Sequence, residues 1–410
     1  MILKEIKDRN TFDQFVMNHP YSHYMKTSMW GMNQAKTNHY SYKLLGFYEE
    51  ETLIGTAMVL KGSFMTHPFL YIPKGPCIDY ENAEMLKECC DLLKGYAKKE
   101  KVHFLRIDPN VLRMEKDING EIIEGGINHE NVTEELKEAG FIHKGYGYAY
   151  NGSWTNRYTL TVDLKDDFDI VKKRFAKRRL TSINRHKTNC VSTHLGNVND
   201  IPSLMELEKQ LADQDGFKPH SKKFFEDILS CFGQYVSVYV TEVDLEGMIQ
   251  GIETELNGKK YAKDPEARNA KIKSLEQTKE LKEEYGDRVV ICCGIFVRAG
   301  KTSYDLYAYN HKAFNHLNPV DSMHVFAMQD MKAHGVETYD LCGFSGVTTK
   351  DDPEYGLYEY KKSFGSQFIE QIGEFDYPVK KNAWERFKLE KRAEVKIRRA
   401  IVSRLYKKEK

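Results

Sequence analysis

The hydrophobic and polar positions of this chain predict the same order of elements twice: a hairpin, a strand, a helix and a strand. In the first half these elements are predicted at residues 41–48 with 51–60, 69–72, 83–99 and 102–107. In the second half they are predicted at residues 235–243 with 289–297, 303–309, 320–334 and 338–341. Alternating or continuous apolar residues indicate the strands, and apolar residues three and four apart indicate the helices. The repeated order favours a duplicated α/β unit.

A helical insertion interrupts the second half between its first two strands. Apolar residues at helical spacing predict a first helix that ends at Asn257-Gly258. Asp264 as N-cap and Pro265 at the first position begin a second helix, which at ~20 residues reaches about 30 Å. The pair is predicted to form an antiparallel coiled-coil arm over residues 244–288, with charged outer faces that suit a nucleic acid or a protein partner.

These elements predict an α/β (α+β) protein with two domains that resemble GCN5-related N-acyltransferases. We place the first acyltransferase-like domain at residues 1–155 and the second at residues 156–380. The helical arm at residues 244–288 interrupts the second domain, and residues 381–410 form a basic C-terminal helix.

Composition restricts the class of protein. The 410 residues carry 30% charged side chains and a formal net charge of +1, as in globular proteins. We find no signal-peptide pattern and no apolar run near the ~18 residues that a membrane span requires. The eight cysteines form no CxxC pair, which argues against a disulfide framework or a zinc site. We therefore expect a cytoplasmic protein without a metal site.

Two segments are strongly basic. Residues 172–187 hold eight Lys or Arg and no acid, and apolar residues at helical spacing let one face pack while the other meets phosphate. The cationic candidates in this segment are Arg178, Arg179, Arg185 and Lys187. Residues 384–410 hold eleven Lys or Arg against four Glu. That amphipathic helix suits the inner membrane surface as a peripheral contact, or RNA, and equally a terminal helix that only increases solubility.

Several short segments occur in a fixed order along the chain: Tyr71-Ile72-Pro73-Lys74-Gly75-Pro76, Leu105-Arg106-Ile107-Asp108-Pro109, Asn119-Gly120-Glu121-Ile122, Ile183-Asn184-Arg185-His186-Lys187, Tyr339-Asp340-Leu341-Cys342-Gly343-Phe344-Ser345-Gly346 and Gly356-Leu357-Tyr358-Glu359-Tyr360-Lys361-Lys362-Ser363-Phe364-Gly365. With the arm in its strand connection, they resemble the Fem family of peptidoglycan-bridge aminoacyltransferases, which includes FemA, FemB, FemX and MurM. The resemblance extends from about Phe12 to Phe387.

The resemblance implies two GCN5-like domains, no cofactor and a tRNA-dependent reaction. An amino acid (glycine, alanine or serine) passes from aminoacyl-tRNA to an amine of the stem peptide of a lipid-linked or UDP-linked muramyl peptide. The arm indicates the FemA or MurM branch over the FemX branch, which lacks it. Both a monomer and pairing with a paralogue remain open.

The resemblance also implies roles for individual residues. Tyr360 and Lys361 match a pair that lines the catalytic channel, where a lysine can stabilise the oxyanion or hold the end of the tRNA. A solvated lysine on a strand is the alternative reading. Lys36 matches a lysine on the precursor diphosphate, and Tyr307 matches a tyrosine that contacts the precursor; otherwise they are a surface lysine and a packing tyrosine. The four cations of residues 172–187 are then candidates for tRNA binding.

Two further candidate substrate-binding residues depart from the family pattern. His220 stands where FemX-like members carry arginine, and Phe224 stands where they carry tyrosine. Without the arginine at this position, the chain lacks a side chain that can bind phosphate through two hydrogen bonds. This difference favours a lipid-linked over a UDP-linked acceptor. Asp108 is the candidate general base, although an Asp before Pro is often a turn-forming residue.

Two other functions compete with the transferase. A CoA-dependent N-acyltransferase on the same fold needs an Arg/Gln-x-x-Gly-x-Gly/Ala turn for the pyrophosphate. Gly145-Tyr146-Gly147 is the nearest match, but Ile142 occupies its basic position. A non-catalytic RNA-binding protein could use the arm and the basic segments, but the net charge near zero and Tyr360-Lys361 argue against it.

Overall fold

The computed structural model describes residues 1–148, 153–258, 261 and 264–408, with side chains as far as residue 394. The strands are β1 Ile2–Glu5, β2 Ser41–Glu49, β3 Thr52–Phe64, β4 His67–Ile72, β5 Phe104–Ile107, β6 Ile142–His143, β7 Tyr158–Asp163, β8 Val191–Gly196, β9 Val236–Asp244, β10 Arg288–Ala299, β11 Thr302–Asn310, β12 Thr338–Gly343, β13 Gln367–Glu370 and β14 Phe375–Pro378. The helices are α1 Arg9–Asn18, α2 Ser28–Thr37, α3 Ala83–Lys99, α4 Glu130–Glu138, α5 Phe168–Lys173, α6 Lys177–His186, α7 Ile201–Asp215, α8 Lys222–Phe232, α9 Leu245–Leu256, α10 Pro265–Tyr285, α11 Pro319–Ala333, α12 Tyr355–Lys362 and α13 Lys381–Lys408.

The strands form two mixed sheets with the same internal order. The first sheet runs β1-β2-β3-β4-β5-β14-β6, and the second runs β8-β9-β10-β11-β12-β7-β13 when it is taken in the same sense. In each sheet the first four strands are antiparallel, and the fourth and fifth are parallel with a helix, α3 or α11, between them. The predicted mixed α/β fold with two similar units is confirmed.

Each sheet contains one strand from a distant part of the chain. The strand β14 lies between β5 and β6 of the first sheet, and β7 lies between β12 and β13 of the second. β14 (Phe375–Pro378) falls inside the range that we predicted for the second domain, 156–380, yet it pairs with the first sheet. β14 therefore ties the end of the second half of the chain to the first sheet by backbone hydrogen bonds, whereas β7 lies in the sheet of its own half.

In its described residues the predicted arm consists of two helices. Helices α9 and α10 pack antiparallel, because Glu253 pairs with Lys279 (2.9 Å) while Glu255, further along α9, pairs with Lys271 (2.8 Å). Asp264 accepts a hydrogen bond from the Ala267 N–H, which confirms it as the N-cap. Residues 259, 260, 262 and 263 of the predicted arm lie outside the described residues.

The C-terminal helix α13 is anchored on the first sheet by its first turns. Trp384 Nε1 donates to Asp376 of β14 (3.0 Å), and Phe387 packs against Phe104 of β5. The side chains of residues 395–408, in the predicted amphipathic basic helix, and the whole of residues 409–410 lie outside the described residues. Within the described residues, no helix has the length and apolar character to span a membrane.

Candidate active site

Lys361 lies at the end of helix α12 with its side chain buried against the second sheet. Its Nζ donates to the carbonyl oxygens of Gly343 (2.7 Å) and Cys342 (3.2 Å), at the end of β12. Burial lowers the pKa of Lys361, and nearby Cys342 and Asp305 act in the opposite direction. The alternative reading of a solvated lysine on a strand is wrong, because this lysine is helical and buried.

The ammonium of Lys361 occupies the place where two parallel strands separate. β11 and β12 are paired only from Thr302 with Thr338 to Tyr304 with Asp340. Beyond that point the two strands no longer share hydrogen bonds, and Lys361 caps the free carbonyls of β12. Lysine carries three N–H donors and these two carbonyls use two, so one donor remains for a ligand.

Two carboxylates that are largely shielded from solvent lie within electrostatic range of this lysine. Burial raises the pKa of Asp305 on β11 to about 7 and that of Asp340 on β12 to about 6, and Lys361 opposes both shifts. Asp305 Oδ2 lies 3.9 Å from Nε2 of His324, whose other ring nitrogen, Nδ1, bonds the Tyr339 hydroxyl. Burial lowers the pKa of His324 to about 3, so this histidine is neutral. Asp305 is therefore a carboxylate that changes protonation near neutral pH.

Sequence reasoning missed Asp305. The available signal was an aspartate inside the apolar stretch Tyr304-Asp305-Leu306-Tyr307, where strand periodicity predicts burial. A buried acid needs a partner or a function. The partner, Lys361, lies far away in the sequence, and no local pattern links the two.

Asp108 belongs to a second cluster, on the first sheet. It accepts hydrogen bonds from the Lys74 backbone N–H (2.7 Å) and the Thr155 hydroxyl, and burial raises its pKa to about 6. Lys74 has the left-handed conformation (φ 58°), and Asp108 stabilises the turn at Lys74, which is distant in sequence from its own Asp-Pro pair. The Lys74 ammonium binds Asn156 O and Gln371 Oε1.

Asp340 connects the two clusters electrostatically. Both Lys361 and Lys74 lower its pKa, against the dominant effect of burial. Lys74 in turn is influenced by Asp108 and Asp340. Asp340 therefore lies within electrostatic range of a lysine from each cluster.

Two cavities lie on the first-sheet side of this boundary. The smaller, of about 70 Å³, is lined by Asp108, Lys144, Thr155 and Arg157 among others. The larger, of about 360 Å³, is called the aromatic cavity here because its lining includes the rings of Trp30, Tyr40, Phe64, Phe69, Tyr71, Trp154 and Phe387. Thr155 lines both cavities, so the aromatic cavity adjoins the carboxylate of Asp108.

Tyr360, the other predicted catalytic residue, points into the interior. Its hydroxyl donates to Asp321 Oδ1 (3.3 Å), and its ring lies under the Arg179 guanidinium (4.4 Å). Arg179 is itself buried, with an ion pair to Asp321 and a hydrogen bond to Ser363 (2.9 Å). The prediction that Arg179 binds tRNA is corrected: its guanidinium is enclosed by partners inside the domain.

The remaining cations of the first basic segment lie on the surface. Arg178, Arg185 and Lys187 are exposed on or just after α6, while Leu180 and Ile183 pack against the core of the second sheet. Arg178 contacts the Glu359 backbone carbonyl (3.0 Å), which places the start of α6 beside α12 and Lys361. The predicted two-faced helix is present, with three of its four candidate cations accessible.

The predicted substrate-binding residues form one surface cluster. The His220 ring stacks on Phe224 (4.0 Å between centroids) and meets Tyr307 edge-on (5.6 Å). Lys36 on α2 reaches α8, where its ammonium lies 3.3 Å from Asp227 and 3.1 Å from the Ser230 hydroxyl. The fold therefore brings Lys36 and Tyr307, which are distant in sequence, to α8 and to His220 just before it.

Within the described residues no three metal-ligating side chains of His, Cys, Asp or Glu come together as a metal site. The described cysteines are free thiols, and Cys89, Cys90, Cys292 and Cys293 are buried in the cores.

Comparison with known proteins relates this arrangement to a described family. The model of the FemAB family matches residues 8–392. The "Lipid II:glycine glycyltransferase" of Staphylococcus aureus (strain USA300) is 24% identical over 420 residues, which covers 95% of this chain and 97% of that protein. The protein of the same name from strain NCTC 8325 / PS 47 matches equally.

Among solved structures, one titled "Crystal structure of FemX" superposes with a TM-score of 0.78 and 22% sequence identity. It covers 94% of this chain and 99% of that chain. At this identity the likeness establishes the shared fold.

Proposed function

The chain belongs to the FemAB family, and we propose that it transfers an amino acid from aminoacyl-tRNA to an amine on the stem peptide of a lipid-linked peptidoglycan precursor. The observation that carries the proposal is the buried Lys361 ammonium, fixed by two backbone carbonyls where β11 and β12 separate. The family and the S. aureus relative support transfer in peptidoglycan bridge synthesis. The use of a tRNA donor, the identity of the amino acid and the type of bond formed are what we propose beyond that reaction.

An aminoacyl ester is already activated, so the reaction needs a neutral amine, alignment and a partner for the oxyanion. Lys361 supplies that partner in our proposal. Its remaining N–H donates to the carbonyl oxygen of the ester as negative charge develops in the tetrahedral intermediate. Because the ammonium is buried and held by Cys342 O and Gly343 O, it needs no reorganisation as that charge develops.

Asp305 is the proposed proton acceptor. The attacking amine must lose a proton as the C–N bond forms, and the ribose hydroxyl of the tRNA leaves with a proton as the ester C–O bond breaks. A carboxylate with a pKa of about 7 can accept the first proton and return one to the leaving oxygen near neutral pH. Asp108, with a pKa of about 6, stays the second candidate, but its carboxylate is already committed to the turn at Lys74.

The acceptor and the donor have separate proposed surfaces. Lys36, His220, Phe224 and Tyr307 bind the muramyl peptide, with Lys36 exchanging its contact with Asp227 for the diphosphate. Arg178, Arg185 and Lys187 bind the tRNA backbone. The contact between Arg178 and Glu359 of α12 supports a path from that basic surface to Lys361.

The test is a transfer assay with purified protein, a lipid-linked precursor and tRNA charged with glycine, alanine or serine. Transfer from one of these tRNAs is expected, and loss of the radiolabelled amino acid from tRNA should match its appearance in the precursor. A parallel reaction contains acetyl-CoA in place of tRNA. Turnover with acetyl-CoA and none with any charged tRNA would refute the proposal and favour the CoA-dependent alternative.

A further inference from the structure

The aromatic cavity takes no part in the proposed reaction, although it adjoins Asp108 through Thr155. It lies between α2, the strands β3 and β4 and the C-terminal helix α13, and its volume of about 360 Å³ suits a small ligand. On β4, Phe69 and Tyr71 line it, whereas the alternate residues of the strand pack in the core on the other face of the sheet. None of the residues that we assign to the acceptor surface lines this cavity.

The walls of the aromatic cavity are rings that contact one another at steep angles. The Trp154 ring meets the rings of Phe69 and Tyr71 edge-on, with 4.8 Å between centroids in each case. Phe64 of β3 meets Phe387 of α13 in the same way, at 5.6 Å. Such edge-to-face pairs restrict the planes of the rings, so the cavity presents flat apolar surfaces in fixed orientations.

Polar groups are placed among these rings. The Tyr71 hydroxyl is buried and has no hydrogen-bond partner among the described residues. Burial first, and then the charges of Asp108 and Glu374, raise the pKa of Tyr71 well above its ordinary value, so the hydroxyl keeps its proton and is a donor. On α2, Asn38 Nδ2 donates to Gln34 Oε1 (2.8 Å), which leaves the Asn38 carbonyl oxygen and an N–H of Gln34 for a ligand.

Flat rings interspersed with amide and hydroxyl groups fit a sugar. The C–H faces of a pyranose pack on aromatic rings, and its hydroxyl and acetamido groups pair with phenols and amides. A prenyl chain would fill the same apolar space, but it would leave the Tyr71 hydroxyl and the α2 amides without partners, which costs free energy. The lining therefore favours a sugar over a prenyl chain.

The duplicated architecture points to the same use. In the first unit α2 precedes β2, and it lines the cavity together with β3 and β4. In the second unit α8 precedes β9, and its Phe225 meets Tyr307 of β11 (5.8 Å) in the proposed acceptor surface. The aromatic cavity thus has in the first unit the position that the acceptor surface has in the second. The two helices meet where Lys36 contacts Asp227 (3.3 Å), so the two sites adjoin.

We propose that the aromatic cavity binds the N-acetylglucosamine ring of a disaccharide acceptor, with the Tyr71 hydroxyl as a donor to that sugar. This proposal rests on the proposed function and assigns a part of the acceptor that the proposed function leaves open. The muramyl ring carries both the diphosphate and the stem peptide, so it must lie between Lys36 and Lys361. The second sugar carries neither group, and Gln34 and Asn38, on either side of Lys36 in the sequence, line the cavity.

The experiment measures binding without tRNA, so its result does not depend on transfer. Two short-chain lipid-linked probes carry the same diphosphate and pentapeptide; one contains the disaccharide and the other only the muramyl ring. Two of the three tryptophans, Trp30 and Trp154, line the cavity, so intrinsic fluorescence reports its occupation. The disaccharide probe should change this fluorescence and bind about tenfold more tightly than the other, as for one net hydrogen bond.

Three variants separate sugar binding from structure. Tyr71→Phe keeps the ring, so it should abolish the preference for the disaccharide without lowering the urea midpoint, since the hydroxyl has no partner to lose. Tyr80→Phe is the matched control, because its hydroxyl donates to Pro76 O (2.8 Å) in the core on the other face of the sheet. It should lower the midpoint and keep the preference. Ser63→Phe, at an exposed position of the lining, should fill the cavity and abolish the preference.

Equal affinity of the unmodified protein for both probes would overturn the proposal, as would a preference that survives in both Tyr71→Phe and Ser63→Phe. An equal fluorescence change with farnesyl diphosphate, which has a prenyl chain and no sugar, would also overturn it. The transfer assay is run with the same probes. A preference in binding without transfer from any charged tRNA refutes the proposed function and leaves the sugar site, whereas transfer without a preference refutes the sugar site alone.

Discussion

Arg106 on β5 and Asp376 on β14, 270 residues apart in sequence, form a two-point ion pair inside the first sheet. Nε donates to Oδ1 at 2.7 Å, and Nη2 donates to Oδ2 at 2.8 Å. Both side chains are almost completely buried, and the Arg106 guanidinium also lies 4.2 Å from the Trp154 ring. The pair joins β14, which arrives from the end of the second half, to the first sheet.

We predict that Asp376→Ala strongly destabilises the protein. The change leaves the Arg106 charge buried with only Glu374 at 3.4 Å as a partner, and breaking a buried pair costs about 3–5 kcal/mol. Urea unfolding of the full chain measures the loss. Glu5→Ala, which breaks the exposed pair with Lys43, should cost less than about 1 kcal/mol. Similar losses for both variants would contradict the importance of burial.

Lys361→Met is predicted to lower kcat about 10²- to 10³-fold, because one donor to the oxyanion is lost while the acceptor surface is untouched. KM for the lipid-linked precursor should change little. Lys362→Met is the matched control, since its neighbouring ammonium binds Asn119 on the surface instead of the β12 carbonyls. A variant of Lys361 with normal kcat would remove this residue from the chemistry.

Asp305→Asn should lower kcat and abolish its rise with pH. Burial raises the pKa of Asp305 to about 7, so the rate in the unmodified protein is expected to increase as the pH passes through about 7 and the carboxylate ionises. The pH–rate profile of kcat, measured with saturating substrates, tests this. If the limb near pH 7 persists in Asp305→Asn, the proton acceptor is another group, and Asp108→Asn is the next variant to test.

The same carboxylate gives a signed prediction for stability. The pKa of Asp305 is about 7 in the folded protein against an ordinary value of 3.8, so its contribution to stability is complete below about pH 4 and is lost as the pH rises through about 7. The slope in that window is up to about 1.4 kcal/mol per pH unit. Asp305→Asn should lack this slope. The free energy of unfolding of the variant should therefore exceed that of the parent protein by a growing amount as the pH rises towards 7. Parallel curves would show that the carboxylate is not desolvated.

Charge reversal on the exposed face of α6 is predicted to weaken tRNA binding. Arg185→Glu and Lys187→Glu should each reduce affinity and lower the slope of log K against log salt by about 1, because each removes a phosphate contact. Lys7→Glu reverses the charge of an exposed lysine that follows β1, and it should leave the slope of log K against log salt unchanged. Filter binding at several salt concentrations distinguishes these outcomes.

The local elements were largely predictable. Helix α3 spans Ala83–Lys99, as its apolar spacing predicted, and α10 begins at Pro265 after the Asp264 cap. Such signals act within one or two turns, because capping hydrogen bonds and side-chain periodicity involve neighbouring residues. The segment around Lys361 shows the limit of this reasoning. Its eight-residue helix α12 has no side-chain hydrogen bond at its N-cap, so no capping signal marks its start. Lys361 itself is buried, whereas the alternative expectation was a solvent-exposed lysine on a strand.

The amino-acid sequence by itself determined the two α/β units, the helical arm and a resemblance specific enough to indicate the reaction. Only the tertiary structure decided that β14 joins the first sheet, that Arg179 is enclosed by Asp321 and Ser363, and that the charge of Lys361 acts on Asp305. It also brought Tyr71 to Trp154 at the aromatic cavity. The reason is physical: desolvation and ion pairing depend on groups that meet through the fold, and neither the burial of a charge nor its partner is encoded in the residues beside it.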